Sequence, residues 1–351
     1  MHRGRLLNWQ NNDERTDMNN SKRLSVIIPG YNNPQKYWER CLKSVLANIG
    51  EDDEVICVDD GSHQCPEFLR TWASRDRRIV TIFLDKNCGL PVARNSALLR
   101  VRGEYVTFVD SDDELCEGVY ENALKQLHET KADVAVFGVK SIWVNEGLYK
   151  VNMPHVFSAG ILDKLDVSRL YVDSLLNYAW NKVFRREFLS QNNIVFNPDG
   201  VPCEDIIFVL KCIVAGAKWV PIHKVGINYY RTHNSLLSRY KSTYVKGSRF
   251  ANAAWLEYGR SYRGADMCGM VSEPELQIGE WDNIWRKGSP FSLVDRYKFA
   301  RSHPELYMSS SAVFFMKKFV FCILRKWFYL KPIQRWHIRR TYPDVVEVRS
   351  R

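Results

Sequence analysis

Short apolar runs, each closed by a polar turn and followed by a helical pattern, most limit how this chain can fold. Leu24 to Ile28 is apolar and β-branched and stops at Pro29-Gly30. Tyr37 to Asn48 follows, with Trp38, Cys41, Leu42, Val45 and Leu46 on one helical face. The pattern repeats through Glu54 to Val58, Ile79 to Leu84, Tyr105 to Val109 and Val134 to Gly138 as strands. Pro66 to Ala73, Leu90 to Leu99 and Glu117 to Glu129 read as helices, the second with Pro91 just inside its start. Strands that are apolar almost throughout are buried on both faces. Alternating with helices, they predict an α/β fold with a mainly parallel central sheet flanked by helices. Ligands in such sheets bind beyond the carboxyl ends of the strands.

The rhythm changes after residue 140. Ile142 to Phe157 reads as a hairpin, Asp163 to Leu176 as a helix and Trp180 to Phe184 as a short extended piece. Glu204 to Ala215 is a helix, with Ile207, Leu210, Lys211 and Val214 at helical spacing, and Ile227 to Arg231 a last strand. Residues 1–22 are polar without an apolar core, so they predict a disordered lead and not a signal peptide. Residues 23–238 read as one domain, and 239–351 as a helical C-terminal extension.

Three clusters at strand ends carry chemistry. Asp59-Asp60-Gly61-Ser62 can accept hydrogen bonds from a base or ribose, or can simply form an acid-capped turn. Asp110-Ser111-Asp112-Asp113 crowds carboxylates that repel one another unless a cation joins them. Hard oxygens suit Mg²⁺ or Mn²⁺, which would neutralise a departing diphosphate; a helix cap is the plainer alternative. An EF-hand is excluded, since the ligand ladder and central Gly are missing. In Asn87 to Asn95, Gly89 lets the backbone approach a ligand, and Arg94 early in a helix can face phosphate or base.

With Pro29-Gly30-Tyr31-Asn32, these clusters give SVIIPGYN, VDDGS, N-x-G-x-x-x-A-R-N and FVDSDD in order. That series resembles the large inverting family 2 of glycosyltransferases, which has the A-type, Rossmann-like nucleotide-sugar fold. WNKVFRREFL, EDIIFVLK and YYRTHNSLLS extend the likeness over roughly residues 24–238. The resemblance implies a nucleotide-sugar donor, UDP-linked in expectation, and a glycan or lipid-linked acceptor, in cell-surface polysaccharide synthesis. It implies that Pro29, Tyr31, Asn32 and Asp59 or Asp60 frame the nucleoside, and that Lys86, Gly89 and Arg94 line the donor site. Asp110 would contact ribose or sugar, Asp112 would hold Mn²⁺ or Mg²⁺, and Asp205 would be the general base. His233 resembles a metal or diphosphate ligand, although a surface-loop histidine is as natural a reading. Cys88 after the Asn, and Ser111 where Ala is frequent, depart from the commonest form.

Other classes fit less well. A dehydrogenase needs G-x-G-x-x-G after the first strand, and it is absent. A sugar-phosphate nucleotidyltransferase needs a Gly-rich loop with Arg and Lys near that strand, where this chain has Pro29-Gly30-Tyr31-Asn32. The net charge of +10 is concentrated: Leu306 to Pro343 holds Lys317, Lys318, Arg325, Lys326, Lys331, Arg335, Arg339 and Arg340 and no acid. No nucleic-acid-binding motif accompanies that block, so nucleic acid is not the expected partner. Val313, Met316, Val320, Ile323, Trp327 and Leu330 form an apolar stripe within segment 312–340. Its charges interrupt the run far short of the ~20 residues a membrane span needs. A basic amphipathic helix instead suits an anionic membrane surface. The expected location is cytoplasmic, peripheral on the inner face of the plasma membrane. The nine cysteines show no C-x-x-C pair and read as reduced thiols.

Overall fold

The computed structural model describes residues 23–64, 66–154, 175, 178–197, 204–231, 339 and 344–347. The lead at 1–22, the helix expected at Asp163 to Leu176, His233 and the basic segment 312–340, apart from Arg339, lie outside the described residues. The chain divides into two units: 1–140, 152–200 and 204–229 form the first, and 141–151, 201–203 and 230–351 the second.

In the first unit, β1 (Leu24–Gly30), β2 (Glu54–Asp59), β3 (Ile79–Phe83) and β4 (Tyr105–Phe108) form a parallel core. The strand order is β4-β1-β2-β3. β1, β2 and β4 are buried along almost their whole length, as continuous apolar runs require. β3 lies at the edge and is only partly buried, with Ile79 and Ile82 inside and Val80 exposed. Helices α1 (Gln35–Leu46), α2 (Glu67–Arg75) and α3 (Leu90–Leu98) make the crossovers. α1 buries Trp38, Cys41, Leu42 and Val45, while Leu46 is only half-buried. Its charged Glu39, Arg40 and Lys43 fall on the remaining arc, as an amphipathic cover demands.

Beyond β4 the sheet becomes mixed. β6 (Val134–Trp143) follows α4 (Val119–Thr130). β8 (Lys182–Arg185) inserts between β4 and β6 and runs antiparallel to both. A short β5 (Glu114–Leu115) pairs antiparallel with β9 (Trp219–Arg231), which also joins β6. β9 begins well before the expected Ile227. Pro221, His223 and Lys224 break its apolar run, so its first half lacks the pattern of a buried strand. α5 (Arg186–Gln191) and α6 (Glu204–Val214) complete this unit. Phe108, Phe184, Phe196 and Phe208 pack beneath the strand ends, with Phe196 and Phe208 stacked at 4.2 Å.

Among the described residues of the second unit, the chain turns at Gly147 into β7 (Leu148–Asn152), as the expected hairpin. β10 (Val346–Glu347) pairs antiparallel with β7, and Lys150 meets Asp344 at 3.3 Å. Cys41, Cys57, Cys88, Cys116 and Cys212 are free thiols.

Candidate active site

The parallel strands end together, so their following turns meet at one edge. Gly30 is level with Asp59 across β1 and β2, and the Asp60 N–H donates to Gly30 O at 2.9 Å. A side chain at Gly30 would place its Cβ 2.2 Å from Trp38, so the turn after β1 needs a residue without one. Asn32 takes a positive φ of 51°; its N–H donates to Ser62 Oγ and its Oδ1 accepts from the His63 N–H. Tyr31 is exposed and meets His63 edge-on at 5.9 Å. The first two turns are thereby braced into one wall.

Asp59 and Asp60 are buried and face the protein's own loops. Asp59 accepts from the Ser62 hydroxyl and N–H. Asp60 accepts from the Cys88 N–H at 2.8 Å and the Gly89 N–H at 2.9 Å, one to each oxygen. Burial raises the Asp60 carboxyl, and those two N–H groups oppose the shift. Asp60 thus fixes the loop that opens α3, where Gly89 adopts φ 90° and Lys86 is exposed.

Arg94 is wholly buried. Its Nη2 donates to Asp110 Oδ1 at 2.9 Å and its Nη1 to Asp205 Oδ1, with Glu204 3.9 Å away. Phe196 and Phe108 lie against the guanidinium at 5.1 and 5.9 Å. Burial alone disfavours its charge, but Asp205, Asp110 and Glu204 outweigh that and hold it protonated. The sequence expectation pointed Arg94 toward phosphate or base; the structure turns it to these carboxylates. Asn95, the next residue, exchanges two 2.9 Å hydrogen bonds with the backbone of Phe196 and locks α3 to the floor.

Asp205, in the first turn of α6, keeps 14% of its side chain exposed, so a ligand hydroxyl can reach it where it cannot reach Arg94 at 1%. Burial pushes its carboxyl up to about 7, against the pull of Arg94 and with the push of Glu204 and Asp110. Asp112, in the turn after β4, rises to about 6 through burial and then the Asp110 charge. Arg40 of α1 donates to the Asp112 carbonyl and Asn33 to Ser111, so the acidic turn is held from the β1 side.

The structure therefore gathers Arg94, Asp110 and Asp205 into one ionic cluster, and gathers Pro29, Tyr31, Asn32, Asp59, Asp60 and Gly89 along one wall.

The family model for glycosyl transferase family 2 matches residues 25–192. Residues 25–192 thus resemble a glycosyltransferase family 2 domain. It is 29% identical over 225 residues to glycosyltransferase GlyA of Streptococcus pneumoniae, covering 62% of this chain and 32% of GlyA. It is 30% identical over 200 residues to the poly(ribitol-phosphate) β-N-acetylglucosaminyltransferase TarP of Staphylococcus aureus, covering 55% of this chain and 58% of TarP. The chain thus spans less than two thirds of these relatives. The crystal structure of S. aureus TarS residues 1–349 with UDP-GlcNAc superposes with a TM-score of 0.58 at 23% identity. That likeness covers 75% of this chain and 80% of TarS 1–349 and concerns the fold.

Proposed function

We propose that this family 2 domain moves a sugar from a nucleotide-sugar to a hydroxyl of a glycan or lipid-linked acceptor, in cell-surface polysaccharide synthesis. One observation carries the reading: Arg94 ties a carboxylate at the end of the parallel sheet, Asp110, to a largely buried carboxylate of raised pKa on α6, Asp205. Such a pair can divide the work, one on the donor side and one as base. The TarP name and the UDP-GlcNAc bound in TarS point to cell-wall glycans and a uridine diphosphate donor.

In this reading Pro29, Tyr31 and Asn32 line the nucleoside, braced by Asp59 and Asp60, while Lys86 and Gly89 lie beside the diphosphate and Asp110 beside ribose or sugar. Asp205 takes the proton of the acceptor hydroxyl. The acceptor oxygen bonds to the anomeric carbon from the face opposite the diphosphate, which departs with the bonding electron pair. An α-linked donor then gives a β-linked product. Arg94 holds Asp205 ionised and oriented for that transfer.

The acidic turn suits a divalent cation. Asp112 offers hard oxygen, and burial beside Asp110 makes its ionised form costly until a cation joins it. Asp112 would hold Mn²⁺ or Mg²⁺, His233 being the sequence's other candidate. Such an ion supplies positive charge for the departing diphosphate.

No helix among the described residues is long and apolar enough to cross a membrane. The basic block at Leu306 to Pro343 instead supports peripheral attachment at an anionic, cytoplasmic membrane face. The function is tested by incubating the full chain and Mn²⁺ with a panel of nucleotide-sugars. Selective thermal stabilisation and nucleotide release with one donor are expected. Absence of both across the panel overturns the reading.

A further inference from the structure

Asp110, Asp112 and Asp113 crowd one short turn, and like charges push such a turn apart unless its backbone is held. Within the turn, the Asp113 N–H donates to Asp110 O at 2.9 Å. Further fastening comes from α1 and the loop before it. Arg40 Nη2 donates to Asp112 O, and the Cys41 thiol reaches Asp110 O at 3.6 Å. Asn33 Nδ2 donates to Ser111 Oγ. The first three residues of the turn are each gripped from the β1 side.

The grip continues into the segment that follows. Ser44 Oγ accepts from the Leu115 N–H at 3.0 Å, and Asn48 Oδ1 accepts from the Gly118 N–H at 2.7 Å. Arg40, Ser44 and Asn48 are four residues apart, so they line one side of α1 and the turn that closes it. Ser111 is buried, and a Cβ at Gly30 would lie 2.8 Å from its Oγ. The acidic turn therefore presses directly on the turn after β1.

Arg40 itself is half-buried, with the Tyr37 ring 5.4 Å from its guanidinium carbon. A guanidinium aimed at a backbone carbonyl limits where that carbonyl, and the side chain of the same residue, can lie. Groups that hold a metal ligand from behind typically change metal affinity by about 10–100-fold when removed.

We propose that Arg40 is a positioning residue for the metal ligand Asp112, and that Asn33 shares this work through Ser111. Together they keep the acidic turn closed against its own repulsion and set for a divalent cation. The proposal rests on Asp112 holding that cation. It goes beyond that reading by assigning the support to α1, on the far side of the turn from Arg94.

The test measures Mn²⁺ affinity of the full chain with UDP present, from the electron paramagnetic resonance of free Mn²⁺. Wild type is compared with Arg40→Met, Arg40→Lys, Ser111→Ala and Asp112→Ala, and UDP affinity in EDTA is read alongside by calorimetry. Arg40→Met should weaken Mn²⁺ binding about tenfold. Ser111→Ala should weaken it less, Arg40→Lys should recover part of the loss, and UDP affinity in EDTA should stay as in the wild type. Charge alone argues the other way, since a cation lost beside a cation site tightens Mn²⁺ binding. Unchanged or tighter Mn²⁺ binding by a folded Arg40→Met, even with a lowered Tm, therefore overturns the inference. Weaker UDP binding by Arg40→Met in EDTA would make Arg40 a ligand of the donor and overturn it as well. If Arg40→Met does not fold, Ser111→Ala, which removes only a hydroxyl, takes its place, and wild-type Mn²⁺ affinity there overturns the inference. Wild-type Mn²⁺ affinity in Asp112→Ala overturns the assignment of the metal ligand, and this inference with it. Mn²⁺ binding lost in Asp112→Ala but indifferent to Arg40 and Ser111 overturns the inference alone.

Discussion

Arg94 and Asp205 illustrate how burial converts ordinary side chains into chemical ones. A carboxylate in water is ionised well below neutrality, and burial lifts Asp205 to about 7. A base must be deprotonated to act, so its activity is present above that value and lost as pH falls through it. Nucleotide release should therefore fall about tenfold per unit below roughly pH 7. A rate still flat at pH 5 would exclude Asp205 as the base. Asp112 is lifted to about 6 by burial and by Asp110, and a cation would relieve that cost. Asp112→Ala should lose several kcal/mol of transition-state stabilisation, and EDTA should stop turnover until Mn²⁺ is restored. Full turnover in EDTA would disprove the metal's part.

At the scale of elements, the parallel core was legible because each strand is one apolar run closed by Gly, Pro or Asp. The mixed half was less so. β8 is four residues long and begins with a lysine whose burial depends on three backbone and amide oxygens, a circumstance that periodicity does not encode. β9 hid its first half behind Pro221, His223 and Lys224. In the site, the types and order of the residues were legible, but their partners were not. Asp59 and Asp60 looked ligand-facing, while their oxygens meet Ser62, Cys88 and Gly89. Only the fold brings Arg94 to Asp205, 111 positions away in sequence. The Gly61 turn shows how tightly the loops are set. Its φ is +65°, and an added Cβ would lie 2.2 Å from the Lys86 carbonyl carbon. Gly61→Ala should cost about 1–3 kcal/mol from backbone strain alone, displace the Lys86 loop and weaken UDP binding. Wild-type urea unfolding together with wild-type UDP affinity would show that the loop does not line the donor site.

For the whole molecule, the charge distribution and the catalytic chemistry make separate claims. The block of eight cations between Leu306 and Pro343 carries no acid, and each Lys or Arg near an anionic surface contributes about 1 kcal/mol. The full chain should float with liposomes containing anionic lipid at low salt, and a chain stopped after Ser311 should not. Equal flotation of the two, or none by either, would reduce the segment to a solvated or packed face. The central claim concerns the catalytic chemistry: a family 2 domain whose base is Asp205. It is tested most directly by comparing Asp205→Asn with the wild type for nucleotide release and UDP binding, with Mn²⁺ and the preferred donor. The variant should bind UDP as the wild type does and lose about 10²–10⁴ in kcat. A near-wild-type rate in the folded variant would contradict the account.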